Sequence, residues 1–384
     1  MDNPRLARIE WGVLEGQRPR NAGSNARLGE HGQKVRVPLA RLTTDDGSSG
    51  LGMCWLTPER AQMALGVALD DLFSSAHGVA EAWRWLDYPL WDLMGKRAGQ
   101  PVYALAAVMN GCDLQGVYDT QSYSAPCYDT SLYFDDLHLA SEAEAAALLA
   151  TEAREGYASG HRAFKIKVGR GARHLPLEAG TQRDIAVVRA VHEAVGPDAP
   201  LMLDANNGYN LNLTKRVLEE TADCSIFWIE EAFHEDAVLY RDLQAWLDAR
   251  QLPTLIADGE GAAAPDLLRW AQEGLVDVIQ YDIFGHGFTR WLSLGKQLDK
   301  WKVRSAPHHY GGHYGNYAAC HLAGAIRGFT YVEFDAATTP GLDTSGYKVR
   351  NGRVHVPAQP GFGIEVDEDL YQKAVENSGF TLTL

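Results

Sequence analysis

Nowhere in the 384 residues does an apolar run approach the roughly 18 that a membrane span needs, and the start, MDNPRLARIEW, lacks the apolar stretch of a secretory signal. A cytoplasmic protein is expected. Cysteine is scarce: Cys54, Cys112, Cys127, Cys224 and Cys320 are odd in number, scattered and without CxxC spacing. That excludes a disulfide framework and argues against a zinc site, and the thiols read as reduced and mostly buried. Positive charge is in deficit. A net charge of −15 repels nucleic acid and anionic membrane alike, so neither is expected as a partner. If the substrate is itself an anion, the site must supply local positive charge or a metal. Also missing is a glycine-rich phosphate turn after the first strand of the βα region, which counts against a doubly wound dinucleotide fold.

What is present is a conventional globular composition, 46% hydrophobic and 22% charged, on a chain long enough for one large domain and a smaller one. Eight apolar runs, CYDTSLYF, RAFKIKV, APLMLD, SIFWIE, PTLIAD, VDVIQYD, KVRSAPH and FTYVEF, alternate with seven segments of helical length. That alternation predicts parallel strands closed into a βα barrel whose last helix is missing, over residues 127–339. Residues 1–126 read differently. LARIEWGVLEG and VRVPLARLTTDDG are strand-like, QRPRNAGSNARLGEHGQ between them is a polar loop, and TPERAQMALGVALDDLF and AEAWRWLDYPLWDLMGKRAG are helical. Residues 340–384 read as a hairpin and a closing segment.

The barrel strand AFKIKVG carries Lys165 and Lys167 on one face, because alternate residues of a strand point the same way. Its apolar flanks mark it as buried, so the pair is no solvated surface. Polar residues recur at the ends of the following runs: Asp204 with Asn206, then Glu230, Glu260, Asp282, His308 and Glu333. In a βα barrel these ends gather at one mouth. Asp204, Glu230 and Glu260, from neighbouring strands, would repel unless a cation sat among them, and an all-oxygen set favours Mg²⁺. Asp282 and His308 suit a carboxylate–imidazole dyad, with His309 as a rival whose side chain should point into the wall. Lys167 lies across the barrel from His308, so the two can flank a substrate. Lys165 and the metal should together depress the Lys167 pKa and leave it able to act as a base.

The ordered set KIK, LDANN, WIEE, DGE, IQYD, APH and VEFD resembles the enolase superfamily, and within it the mandelate racemase branch. The resemblance spans essentially the whole chain. It implies an α+β capping domain, a modified (β/α)7β barrel, and a tail, PGFGIEVDEDL, that returns to the cap. It further implies one Mg²⁺ per subunit on Asp204, Glu230 and Glu260, acid/base roles for Lys167 and for His308 with Asp282, and substrate-carboxylate contacts from Lys165 and Glu333. Asn206 would sit beside the metal. The implied reaction is removal of a proton α to a carboxylate, giving an enediolate. Dehydration of an acid sugar to a 2-keto-3-deoxy acid follows if a β-hydroxyl departs; racemisation or epimerisation of a 2-hydroxy acid follows if nothing leaves. A non-catalytic metal-binding protein on the same fold would have no reason to keep both bases. By analogy, subunits of this family commonly pair.

Three departures border the mouth: WIEE is followed by Ala-Phe instead of proline, Tyr281 replaces the proline before Asp282, and GHG, with His286, replaces GG. Specificity is expected from the polar capping loop, with Arg18, Arg20, Asn21, Asn25, Arg27 and His31, and from Trp55.

Overall fold

A computed structural model describes residues 3–112, 123–310 and 312–384. The amino-terminal part is built on a long antiparallel hairpin, β1 (Leu6–Ala22) and β2 (Gly32–Thr44), extended by β3 (Ser49–Met53). Both faces of the sheet are covered: Val37 and Leu39 are buried on one, and Leu42 with its cross-strand partner Ile9 on the other. β1 runs further than its composition suggests. The stretch QRPRNA, read as loop, continues the strand, and Gln17 leaves β2 at a register shift to bridge Thr338. The true loop is only residues 23–31.

The first helical run is broken in two, α1 (Pro58–Ala64) and α2 (Leu69–Leu72). Thr57 caps α1, its hydroxyl accepting from the Arg60 amide, and Pro58 starts the helix, where a missing N–H costs nothing. Val67 ends the run by pairing with Leu6, and Gly66 turns with φ of +80°. A small ribbon, β4 (Phe73–Ser74) with β5 (Gly78–Val79), and a 3₁₀ turn lead into α3 (Asp87–Ala98) and α4 (Val102–Asn110).

All eight expected barrel strands are present: β6 (Ser124–Leu132), β7 (Phe164–Lys167), β8 (Leu201–Asp204), β9 (Ile226–Glu230), β10 (Leu255–Asp258), β11 (Val278–Ile279), β12 (Arg304–Ser305) and β13 (Val332–Phe334). They are parallel from β6 round to β12, and β13 pairs back onto β6. Between β12 and β13 the link is the single bridge Ser305–Phe329. The connecting helices are α5 (Glu142–Ala158), α6 (Leu177–Val195), α7 (Leu211–Glu220), α8 (Ala237–Arg250), α9 (Leu267–Gln272), the short α10 (Ile283–His286) with α11 (Phe288–Trp301), and α12 (Gly315–Ala323). Among the described residues no helix packs directly after β13 to close the last βα unit, so the fold is a modified (β/α)7β barrel with an α+β cap. Among the described residues no helix is long and apolar enough to cross a membrane.

The chain then forms β14 (Leu342–Asp343) and a hairpin, β15 (Lys348–Arg350) with β16 (Arg353–His355), which joins the barrel sheet at the start of β6. β17 (Glu365–Val366), α13 (Glu368–Ser378) and β18 (Phe380–Thr383) follow, and β18 pairs with β1, completing a four-stranded cap sheet.

The barrel interior has two zones. Tyr128, Met202, Trp228, Ala257, Val278 and Ala306 fill the lower part. Further toward the C-terminal ends, β7 presents Lys165 and Lys167, β8 Asp204, β9 Glu230 and β13 Glu333. The period-2 rule thus stacks a charged layer directly on an apolar floor.

Candidate active site

Lys165 Nζ lies 2.9 Å from Glu230 Oε1, 3.0 Å from Glu333 Oε1 and 3.3 Å from Asp204 Oδ2. Lys167 donates to the same Asp204 oxygen. All five residues are buried, so the paired lysines sit there because three carboxylates need them. Burial raises the Asp204 pKa, but Lys167 and Lys165 outweigh it and bring it to about 2. Glu230 is pushed up to about 7 by burial and Asp204, with the lysines offsetting only part. Burial pulls both lysines down, yet the carboxylates dominate and both are raised. The expected depression of Lys167 is therefore not a property of the protein groups alone; it required a divalent cation sharing those carboxylates.

Glu260 arrives by another route. β10 ends at Asp258, and Gly259, at φ +124°, turns the chain so that Glu260 faces the same space. Ligand atoms of Asp204, Glu230 and Glu260 lie within 4.8 Å of one another. Glu260 Oε2 is buried without a hydrogen bond, 3.4 Å from His308 Nε2. Three hard oxygen donors, one of them unsatisfied, fit Mg²⁺.

His308 Nδ1 donates to Asp282 Oδ1 at 2.5 Å, which leaves Nε2 aimed at Glu260. Asp282 is itself held by the Gly261 amide, and its backbone bridges to His308. Burial opposes charge on the imidazole, but Glu260, Glu333 and the Asp282 bond raise its pKa to about 10. Lys167, Glu260, Asp282 and His308 line one cavity of about 660 Å³. Lys167 borders it on the Asp204 side and His308 on the Glu260 side.

Trp55, 59% exposed, stands at the rim of this cavity. Arg18 lines it but is buried and committed, its Nε and Nη2 donating to Asp335 Oδ2 at 3.1 and 2.8 Å. His31 lies edge-on to Tyr133 and Tyr310 with Nδ1 2.9 Å from the Gly23 carbonyl. Asn25 lines the wall as a turn builder, accepting from the Arg27 and Leu28 amides. Arg20 is placed elsewhere: it donates to Ser131 Oγ at 2.8 Å and to Glu155 at 3.3 Å, away from the mouth. Asn21 pairs with Glu30. Arg27 Nη1 is 3.7 Å from Glu231 Oε1. Asn206 donates its amide N–H to Asp204 Oδ1 and its Nδ2 to Glu231 Oε2.

His309 is buried with Nε2 on the Glu333 carbonyl, yet it also lines the cavity; burial lowers it to about 4. His313 is bonded by Thr339 and Tyr317, and His286 packs among Tyr281 and Trp291.

Four residues escaped sequence reasoning. Tyr133 and Tyr310 stack at 4.8 Å, with Lys167 Nζ 5.3 Å from the Tyr133 ring centre. Tyr133 directly follows β6, so applying the strand-end rule to that strand would have found it. Arg170, fully buried between Asp136 and Asp184 at 2.7 Å each, also donates to the Lys167 carbonyl. Burial, Glu260 and Asp204 push Glu231 up to about 8; it accepts from Asn206 and Asn207 at 2.9 and 2.8 Å.

A barrel whose mouth combines a metal-ready carboxylate triad with a buried lysine pair and a histidine–aspartate pair defines a class of enzyme that removes protons next to carboxylates. The chain belongs to the enolase superfamily: residues 148–370 match the enolase C-terminal domain-like family. A galacturonate dehydratase from Geobacillus sp., solved with D-galacturonate and 5-keto-4-deoxy-D-galacturonate, is 50% identical over 99% of both chains, with a TM-score of 0.93. A mandelate racemase/muconate lactonizing protein from Geobacillus sp. Y412MC10, solved with magnesium and tartrate, is also 50% identical, covering 100% of this chain and 98% of the other, with a TM-score of 0.96. The arabinonate dehydratase of Saccharolobus solfataricus is 25% identical over 75% of this chain and 70% of its own length. The chain thus stands among Mg²⁺-dependent acid-sugar dehydratases of the mandelate racemase branch.

Proposed function

We propose that this chain dehydrates a hexuronate of the galacturonate type at the two carbons next to its carboxylate. The observation that carries the reading is the shared cavity, lined by both Lys167, bonded to Asp204 of the triad, and His308, 3.4 Å from Glu260 of the triad. Asp204, Glu230 and Glu260 would hold Mg²⁺, whose charge offsets the negative charge that builds on the substrate carboxylate as the α-proton leaves. Lys165, between Glu230 and Glu333, adds a fixed positive charge on that side. Lys167 takes the α-proton. The C–O bond to the β-hydroxyl breaks, His308 as imidazolium gives that oxygen a proton, and water departs. The resulting enol takes a proton at the β-carbon to give the ketone. Counted from the carboxylate, the product is a 2-keto-3-deoxy acid, and 5-keto-4-deoxy-D-galacturonate has that pattern counted from its other end. We assign the enzyme to the cytoplasm, with a small carboxylate as its partner and paired subunits.

Proton NMR in D₂O with Mg²⁺, run on D-galacturonate beside a panel of mono- and di-acid sugars, tests the reading. New 3-deoxy methylene signals are expected, and Lys167→Met should abolish both α-proton exchange and product, whereas His308→Asn should lose product by about 10²–10⁴-fold. Exchange without methylene signals would overturn dehydration in favour of epimerisation.

A further inference from the structure

Seven described non-glycine residues have positive φ, and three of them lie just past the strand ends that carry the triad: Asn206 (42°) and Asn207 (60°) after Asp204, and Glu231 (42°) after Glu230. Such backbone persists only where its surroundings over-determine it. Here they do. The Asn207 amide donates to the Glu231 carbonyl at 2.7 Å, both asparagine side chains donate to the Glu231 carboxylate, and the Asn206 amide closes back on Asp204 Oδ1. Glu231 therefore pins the turn that aims one carboxylate of the triad while sitting covalently next to another.

The same turn is the seat of the capping loop. Ala26 is buried against Gly169 and Gly208, where a Cβ added at Gly208 would lie 2.6 Å from the Ala26 Cβ. The hollow exists because those positions are glycine. Flanking Ala26, the Asn25 and Arg27 carbonyls accept from His174 and Arg173, and the Arg27 guanidinium reaches Glu231 Oε1 at 3.7 Å. Loop and metal-site turn thus meet at one carboxylate.

We propose that Arg27 and Glu231 are positioning residues that couple docking of the capping loop to the geometry of the cation site, so that the affinity for Mg²⁺ depends on a loop that contributes no ligand. The inference rests on Asp204, Glu230 and Glu260 being the ligands.

Calorimetric titration of the full chain with Mg²⁺, without substrate, tests it. Wild type should bind and Asp204→Asn should not; failure of that comparison overturns the ligand reading and the coupling with it. Arg27→Ala should weaken binding about 10-fold, within the range known for groups that orient metal ligands, and Ala26→Leu, which overfills the hollow, should do the same. Glu231→Gln should weaken it at least as much, and adding Arg27→Ala to Glu231→Gln should weaken it no further. The kcat of Arg27→Ala should recover at high Mg²⁺. Unchanged Mg²⁺ affinity in Arg27→Ala and Ala26→Leu, or a raised KM for the sugar acid at saturating Mg²⁺ as the only defect of Arg27→Ala, would overturn the coupling and leave the ligand set standing. Because Arg27 is exposed, its variants remain testable even if Glu231→Gln fails to fold.

Discussion

Acid should loosen this protein through His321, and the effect can be worked from its bonds. His321, on α12, is fully buried. Its Nδ1 accepts from the Tyr103 amide of α4 at 2.9 Å, and its Nε2 lies 2.8 Å from Tyr347 Oη, which itself donates to the Phe362 carbonyl. The proton must therefore be on Nε2. A second proton, on Nδ1, would point at an N–H. Burial lowers the pKa to about 3, against about 6.5 in the unfolded chain. The unfolded state thus binds more protons between these values, so the contribution is fully present above pH 6.5 and is lost as pH falls. Between pH 7.5 and 5 the loss is about 2 kcal/mol, from 1.36 kcal/mol per pKa unit. Urea unfolding of wild type and His321→Gln at both pH values measures it. The variant should be the weaker protein at pH 7.5, but its stability should fall by about 2 kcal/mol less on acidification. Equal falls in the two proteins would refute the assigned tautomer and the buried neutral state.

Two further substitutions test how the scaffold holds the site. Asp87, on α3 of the cap, accepts from Thr289 N at 2.9 Å and Thr289 Oγ1 at 2.6 Å, and so caps α11 of the barrel, where Gly287 offers no side-chain cap. Asp87→Ala should cost about 1–3 kcal/mol, because it strands a buried N–H, and should lower the urea midpoint; an unchanged midpoint would mean the cap is idle. Arg170→Met leaves Asp184 buried without its cation and Asp136 with only Arg183 at 3.5 Å, and should cost about 3–5 kcal/mol, read as soluble yield and thermal midpoint, whereas an equally stable variant would show that the ion pairs contribute nothing net.

The barrel was legible because its strands are continuous apolar runs separated by amphipathic helices, and the mouth because strand ends share one height. Asp204, Glu230 and Glu333 end up where that rule puts them. Glu260 falls beyond its strand and comes back only through the positive φ of Gly259, a turn that apolar patterning does not register. Glu231 illustrates the same limit more sharply. Period-2 alternation sends the second glutamate of WIEE away from the barrel interior, and the left-handed backbone at 231 redirects it to the asparagines. The capping loop was misjudged in extent for a related reason. QRPRNA reads as polar and solvated, but Arg18 is buried on Asp335 and Arg20 is taken by Ser131 and Glu155, so strand pairing and ion pairs overrode composition. Such long-range partners have no local signature.

The strand pairing of β1 has a meaning in time as well as in space. Arg8 to Trp11 find their outer partners in Phe380 to Thr383, hundreds of residues downstream. On the ribosome β1–β3 emerge before the barrel, yet the outer edge of their sheet stays unsatisfied until the whole barrel and the segment after it have been translated. Closing so long a loop is slow, and an open edge invites pairing with other chains in the meantime. This early-made sheet is therefore among the last parts of the fold to be finished, and its waiting edge is where a nascent chain is most exposed to error.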